Sequence, residues 1–245
     1  HFASYVVYTL LVYDLFIYCD HVLDDHVNLI KVKGDIRNEK LFKDSGKGND
    51  VVIHLACISN DPSFELNPTL GKSINLDPFD PIVRISKEEN IKRFIYASAS
   101  SVYGVKPEKN VHEDMSLEPL TDYSKFKAVC EEKLIKFKTD NFVVTTLRPA
   151  TVCGYARRQR LDVIVNILTN LAYNKNEIKI FGGSQLRPNI NIEDMADAYV
   201  SVLDASAEQI NKQIFNVGGE NHTVNEIGLM VKDIIGDDVS LEITP

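Results

Sequence analysis

Apolar positions gather in short, β-branched runs separated by longer amphipathic stretches: Leu11 to Tyr13, Leu29 to Val32, Val51 to Leu55, Arg93 to Ala97 and Phe142 to Leu147. Runs this continuous, without in/out alternation, predict strands covered on both faces, as in a parallel sheet. With helical patterns between them they form βαβ units, so the fold class expected is α/β, a Rossmann-type doubly wound parallel sheet. Ser4 to Val7 reads as a further strand ahead of the one ending at Asp14. From about Val152 the alternation loosens into a helix over 160–174, a strand over 178–181, a Gly182-Gly183 turn and a helix over 192–204. That pattern predicts a smaller lobe interleaved with the sheet. The expected division is 1–152 for the sheet domain and 153–245 mainly for the lobe, with about 189–217 returning to the first. Ile227, Met230, Val231, Ile234 and Ile235 recur at helical spacing and read as core packing. Pro78 and Pro81 predict a broken helix after Asn75, because a proline inside a helix costs about 3 kcal/mol.

Composition narrows the class of protein. The 245 residues are 44% hydrophobic and 25% charged, which excludes disorder. Lys+Arg 27 against Asp+Glu 35 gives a net charge of -8, so no general basic field exists to hold nucleic acid. Cys19, Cys57, Cys130 and Cys153 form neither a C-x-x-C pair nor a knuckle with nearby histidines, so neither a metal site nor a disulfide framework is expected and a reducing cytoplasm fits. Tyr5 to Tyr18 is apolar, yet it contains Asp14 and falls short of the roughly 20 residues a membrane span needs. The chain begins at His1 without Met and stops at Pro245 without a terminating element, so it reads as truncated at both ends.

Tyr123 and Lys127 stand four residues apart and share one face of a helix. A phenol with an ordinary pKa of about 10 exchanges protons near neutrality only beside a positive neighbour. The same spacing also describes a solvated surface pair. The preceding segment favours chemistry: Arg93 to Gly104 is a strand running into a Ser-rich turn, at the carboxyl end where open α/β sheets bind ligands.

With these residues the chain resembles the NAD-dependent epimerase/dehydratase branch of the extended short-chain dehydrogenase/reductase family, whose members act on nucleotide-diphosphate sugars. The resemblance spans nearly the whole chain and implies an NAD-binding first domain and a substrate-binding lobe. It implies cofactor contacts from Asp14, which favours NAD over NADP, from Asp35 and Ile36 after Gly34, from Leu55 and Ala56 after His54, and from Asn75, Tyr123 and Lys127. It implies substrate contacts from Ser100, from Thr151 in the Leu147 to Gly154 segment, and from Arg187, whose guanidinium fork suits a diphosphate. Arg157, Arg158 and Arg160 could extend that cationic rim. A homodimer is implied, with no membrane or nucleic-acid partner.

The chain departs from the family pattern in two chemical respects. A G-x-x-G-x-x-G turn after the first strand, the cradle of the cofactor pyrophosphate, has no room between Val7 and Leu10, which reads as missing residues rather than a lost function. The family's active-site Ser or Thr, five positions before the turn glycine, is Ala99 here. Ser98 or Ser100 would have to supply that hydroxyl, and reduced or altered activity is expected. The function expected is NAD-dependent epimerisation through a transient keto sugar. Ser100 and Ser101 stand where dehydratases carry Asp-Glu, which disfavours loss of water. The rival readings are a catalytically impaired nucleotide-binding protein of this fold, or a dehydratase or reductase.

Overall fold

The computed structural model describes residues 8–18, 20–59, 61–108 and 110–244. The expected strand over 4–7, and Cys19, lie outside them. The chain forms two compact units, one of residues 1–148 with 200–216, the other of 149–199 with 217–245.

In the first unit β1 (Leu10–Asp14) and β2 (Leu29–Lys33) pair in parallel, Leu10 opposite Leu29 and Asp14 opposite Lys33. A second sheet has the order β3-β4-β5-β9, from Val51–His54, Arg93–Ala97, Val143–Pro149 and Ile214–Val217. β3, β4 and β5 run parallel. Every residue of β5 from Val143 to Arg148 is buried, the reason its sequence shows no alternation. Around these strands lie α1 (Glu39–Gly46), α2 (Asp61–Glu65), α3 (Pro68–Asn75), α4 (Phe79–Glu88), α5 (Asp122–Lys136) and, from the returning segment, the short α8 (Ala207–Ile210). The core joins Phe42, Phe79, Ile82, Val83, Phe94, Leu134, Phe142 and Val144, with Tyr13 and Ile36 packed against it. Each such side chain stabilises the fold by about 1.5–3 kcal/mol on burial.

The predicted helix break falls between α3 and α4. Pro78 caps α4, and Pro81 is its third residue, where a backbone N–H has no partner inside the helix. Both prolines therefore sit where the lost donor costs nothing. β3 stops one residue earlier than its apolar run, leaving Leu55 exposed in the following loop.

The second unit holds a three-stranded sheet of order β10-β8-β6, from Asn221–Thr223, Leu186–Asn191 and Thr151–Cys153. β7 (Glu177–Phe181) pairs in parallel with β11 (Ser240–Thr244). Leu168 and Ala172 of α6 (Ile164–Lys175) close a core with Ile178, Ile180, Ile227 and Val231. α6 begins later than its apolar pattern predicts, because the Asn166 amide donates to the Arg160 carbonyl at 2.8 Å and holds the approach as a loop. α7 (Ile192–Asp204) runs over the predicted residues. In α9 (Val224–Ile235) the expected apolar stripe divides: Ile227 and Val231 are buried and Ile235 partly so, while Met230 and Ile234 are exposed. Gly228 sets this face, since a Cβ there would stand 2.5 Å from Ile180 Cδ1.

Candidate active site

α5 starts in a fixed place. The Thr121 hydroxyl accepts from the Ser124 amide at 3.3 Å, and the Ser124 hydroxyl accepts from the Thr121 amide at 3.2 Å. This capping box puts Tyr123 in the first turn and Lys127 one turn on. The Lys127 ammonium donates to the carbonyl of Ala97, the last residue of β4, at 2.5 Å. It lies 5.0 Å from the Tyr96 ring centroid and 5.8 Å from that of Tyr123. Lys127 is only 5% exposed, so the helical pair is tied into the sheet rather than solvated. Tyr123 is half-buried and borders a cleft of about 280 Å³ with Phe64, Pro68 and Leu120.

The two candidate serines differ in their surroundings. Ser98 is buried, and its hydroxyl donates to Oε1 of Glu131. Glu131 is paired with Arg148, whose Nη2 donates to Oε2 at 2.6 Å and whose Nε donates to Oε1 at 3.1 Å. Arg148 also donates to the Tyr103 hydroxyl at 2.6 Å, which in turn donates to Oδ1 of Asn216 at 2.7 Å. Ser100 instead opens a 3-10 turn, Ser100–Tyr103, and is half-buried. Ala99 precedes it in extended backbone. Val102 and Tyr103 pack on Ala128 of α5 and lie under Met115 and Leu117, so the loop over 105–119 covers this turn.

Beneath the pair the chemistry is dry. Burial pushes the Tyr96 phenol well above its ordinary range and the Cys130 thiol up to about 11. His54 stacks on Tyr96 with ring centroids 5.8 Å apart, and burial, with Lys127 nearby, lowers its pKa to about 3. It is a neutral core histidine.

Besides Tyr123 and Lys127 on α5, the residues read as cofactor contacts occupy a strand end or the loops after strands, except Asn75, which ends α3. Asp14 ends β1, exposed, and Oδ1 accepts from the Phe16 amide at 2.6 Å. Gly34 is needed because a Cβ would stand 2.4 Å from the Tyr13 ring, and the Tyr13 hydroxyl donates to the Asp35 carbonyl at 2.7 Å. The Asp35 carboxylate is engaged by Arg37, through Nε at 2.8 Å and Nη2 at 2.5 Å, which holds its pKa down at about 2. Ile36 packs on the core. Half-buried Ala56 follows exposed Leu55. Asn75 turns its amide onto the loop after β3, accepting from the Ile58 amide at 2.8 Å and donating to the Ile58 carbonyl at 3.0 Å. This donor set fits a dinucleotide: a carboxylate for a ribose diol at Asp14 and a phenol with an ammonium at Tyr123 and Lys127.

In the second unit Thr151 of β6 pairs with Asn189 of β8. Arg187, two residues before Asn189, lies on the same face of that sheet as Thr151 and is exposed. Arg160 forms an ion pair with Asp162 at 2.6 Å, and Arg157 and Arg158 are exposed. Among the described residues no group of His, Cys, Asp or Glu is placed to hold a metal ion, and no helix is long and apolar enough to cross a membrane.

Residues 11–218 match the model of the NAD dependent epimerase/dehydratase family. The chain belongs to this family. It is 24% identical over 228 residues to UDP-glucose 4-epimerase of Lactobacillus helveticus, covering 86% of this chain and 66% of that protein. It is 30% identical over 201 residues to an uncharacterized UDP-glucose epimerase of Bacillus subtilis (strain 168), covering 80% and 61%. The chain thus spans just under two thirds of the length of these curated relatives. The structure of UDP-glucuronic acid 4-epimerase from Bacillus cereus in complex with UDP-glucuronic acid and NAD is similar with a TM-score of 0.85 at 26% identity, covering 98% of this chain and 79% of that one. The fold is the Rossmann-type α/β architecture expected.

This epimerase/dehydratase-family chain carries functional neighbours that the sequence reading passed over. Glu131 continues the Tyr123, Lys127 spacing by another four residues, so the helix face itself pointed to it. Arg148 was signalled by being the one charge in the apolar run of β5. Tyr96 carried no signal beyond being one more aromatic residue in a buried strand.

Proposed function

We propose that the chain is the catalytic part of an NAD-dependent nucleotide-sugar epimerase. One observation carries the reading: the Lys127 ammonium is fixed between the Ala97 carbonyl and the Tyr123 ring, beside a cleft that Tyr123 borders. The Bacillus cereus neighbour, bound to a UDP-sugar and NAD, supports the ligand classes. Asp14 would take the ribose diol, and Tyr123 and Lys127 the nicotinamide side. When bound, NAD supplies the acceptor that takes a hydride from the sugar carbon and returns it.

Tyr123, held as the tyrosinate by Lys127, removes the proton from the sugar hydroxyl as that carbon is oxidised and becomes the neutral phenol. Ser100 donates a hydrogen bond to the same oxygen in place of the hydroxyl missing at Ala99. Tyr123 then returns the proton when the keto sugar is reduced on its other face. Thr151 and Arg187 contact the substrate, Arg187 through its diphosphate. The reading includes a homodimer, which sedimentation of the purified protein tests.

A second reading is favoured by one fact: position 99 has no hydroxyl and the Ser98 hydroxyl is committed to Glu131. In that reading the protein binds the nucleotide without turnover. The deciding experiment measures bound nicotinamide cofactor by absorbance and interconversion of UDP-glucose and UDP-galactose, with Tyr123→Phe as control. Turnover that drops at least ~100-fold in Tyr123→Phe supports the epimerase. Bound cofactor without turnover supports the second reading.

A further inference from the structure

Tyr96 lies in β4 at 2% exposure, wedged edge-on against Phe79 at 4.9 Å and stacked with His54. One position before the carbonyl that accepts from Lys127, it turns its ring face to the ammonium, 5.0 Å from the ring centroid. An ammonium so deeply buried has lost most of its water. Among the described residues no carboxylate pairs with Lys127 to offset that loss. The groups facing it are the Ala97 carbonyl, two phenol rings, and beyond them neutral His54 and the Cys130 thiol. The negative face of an aromatic ring attracts a cation most strongly when both are desolvated.

Resting on the epimerase reading, we propose that Tyr96 is a positioning residue: its ring seats the Lys127 ammonium and thereby holds the charge against the Tyr123 phenol. Tyr96 touches no reacting atom and acts only through Lys127. A β4 residue thus sets the electrostatics of a pair carried on α5. The hydroxyl of Tyr96 is dispensable for this role, since the ring supplies the seat.

The experiment compares Tyr96→Leu and Tyr96→Phe, each alone and with Lys127→Met, which keeps the side-chain length without the charge. Tyr96→Leu should lower the melting temperature more beside Lys127 than in the Lys127→Met background, by on the order of 3 °C, while Tyr96→Phe shows no such difference. Equal losses in both backgrounds would mean that Tyr96 only packs, and would overturn the proposal. Lysine acylation with acetic anhydride, read by mass spectrometry at Lys127, gives a second measure. Modification should be slow in the parent and in Tyr96→Phe and at least ~5-fold faster in Tyr96→Leu; an unchanged rate counts against the seat. Where the parent turns over, Tyr96→Leu should lower kcat at least ~10-fold with KM within ~3-fold, and Tyr96→Phe should restore it. Coupling and protection in a protein without turnover would leave the seat standing and remove the epimerase reading. Turnover with kcat indifferent to Tyr96→Leu would remove the seat alone.

Discussion

Ser98 donates its hydroxyl to the Glu131 carboxylate, and two residues later Ser100 stands half-buried at the start of the 3-10 turn. Serines two residues apart therefore belong to different parts of the molecule, one to a buried ion pair and one to the turn beside α5. Ser98→Ala should lower unfolding free energy by ~1–3 kcal/mol in urea, because a buried carboxylate loses a donor. Ser100→Ala should leave the urea midpoint unchanged and lower kcat ~10- to 100-fold. The reverse pattern would transfer the catalytic hydroxyl to Ser98.

Glu131 and Arg148 are 5% and 3% exposed in their side chains. Removing one partner strands the other charge without water. Arg148→Met should cost ~3–5 kcal/mol of unfolding free energy. Replacing both, as Glu131→Leu with Arg148→Met, should cost less than the sum of the single losses, which a urea double-mutant cycle measures.

His54 is buried neutral, with its pKa lowered to about 3. The unfolded chain takes up a proton at this residue below about 6.5 while the folded one does not, so its contribution to stability falls as pH drops from there to about 3. Asp35 is shifted in the same direction but in a lower window: its pKa is held at about 2 by Arg37, so its contribution is lost only below about 4. Between pH 4.5 and 6.5 the histidine therefore dominates over this aspartate. His54→Phe should flatten the melting-temperature curve across that window. An unchanged slope would show that the imidazole is protonated in the fold.

Gly104 has φ of 71°, and a Cβ there would stand 2.2 Å from the Glu118 carbonyl oxygen. Gly104→Ala must strain the backbone and push the covering loop away. The expected outcome is a loss of more than ~1 kcal/mol, with faster deuterium uptake over 105–119 than elsewhere in the protein.

β3, β4 and β5 were legible because parallel strands covered on both faces show no in/out alternation, as in β5. Pro78 and Pro81 marked a helix boundary for an equally local reason, the missing amide hydrogen. α9 was read less well: five apolar positions at helical spacing looked like one stripe, yet Met230 and Ile234 face outward. Helical period gives the angle between residues, whereas which angle faces the core depends on Gly228 admitting Ile180.

By itself the sequence determined the α/β class, the positions of β1 to β5 and β7, the Tyr123 and Lys127 pair and the family, because each depends on residues near one another in the chain or on their order along it. Only the tertiary structure decided that Ser98 serves Glu131, that Asp35 is held by Arg37 and Asn75 by the Ile58 backbone, and that Tyr96 lies under the ammonium. A hydrogen bond or a ring contact selects its partner by distance and desolvation in space. Those quantities exist only once strands such as β4 and helices such as α5 have packed.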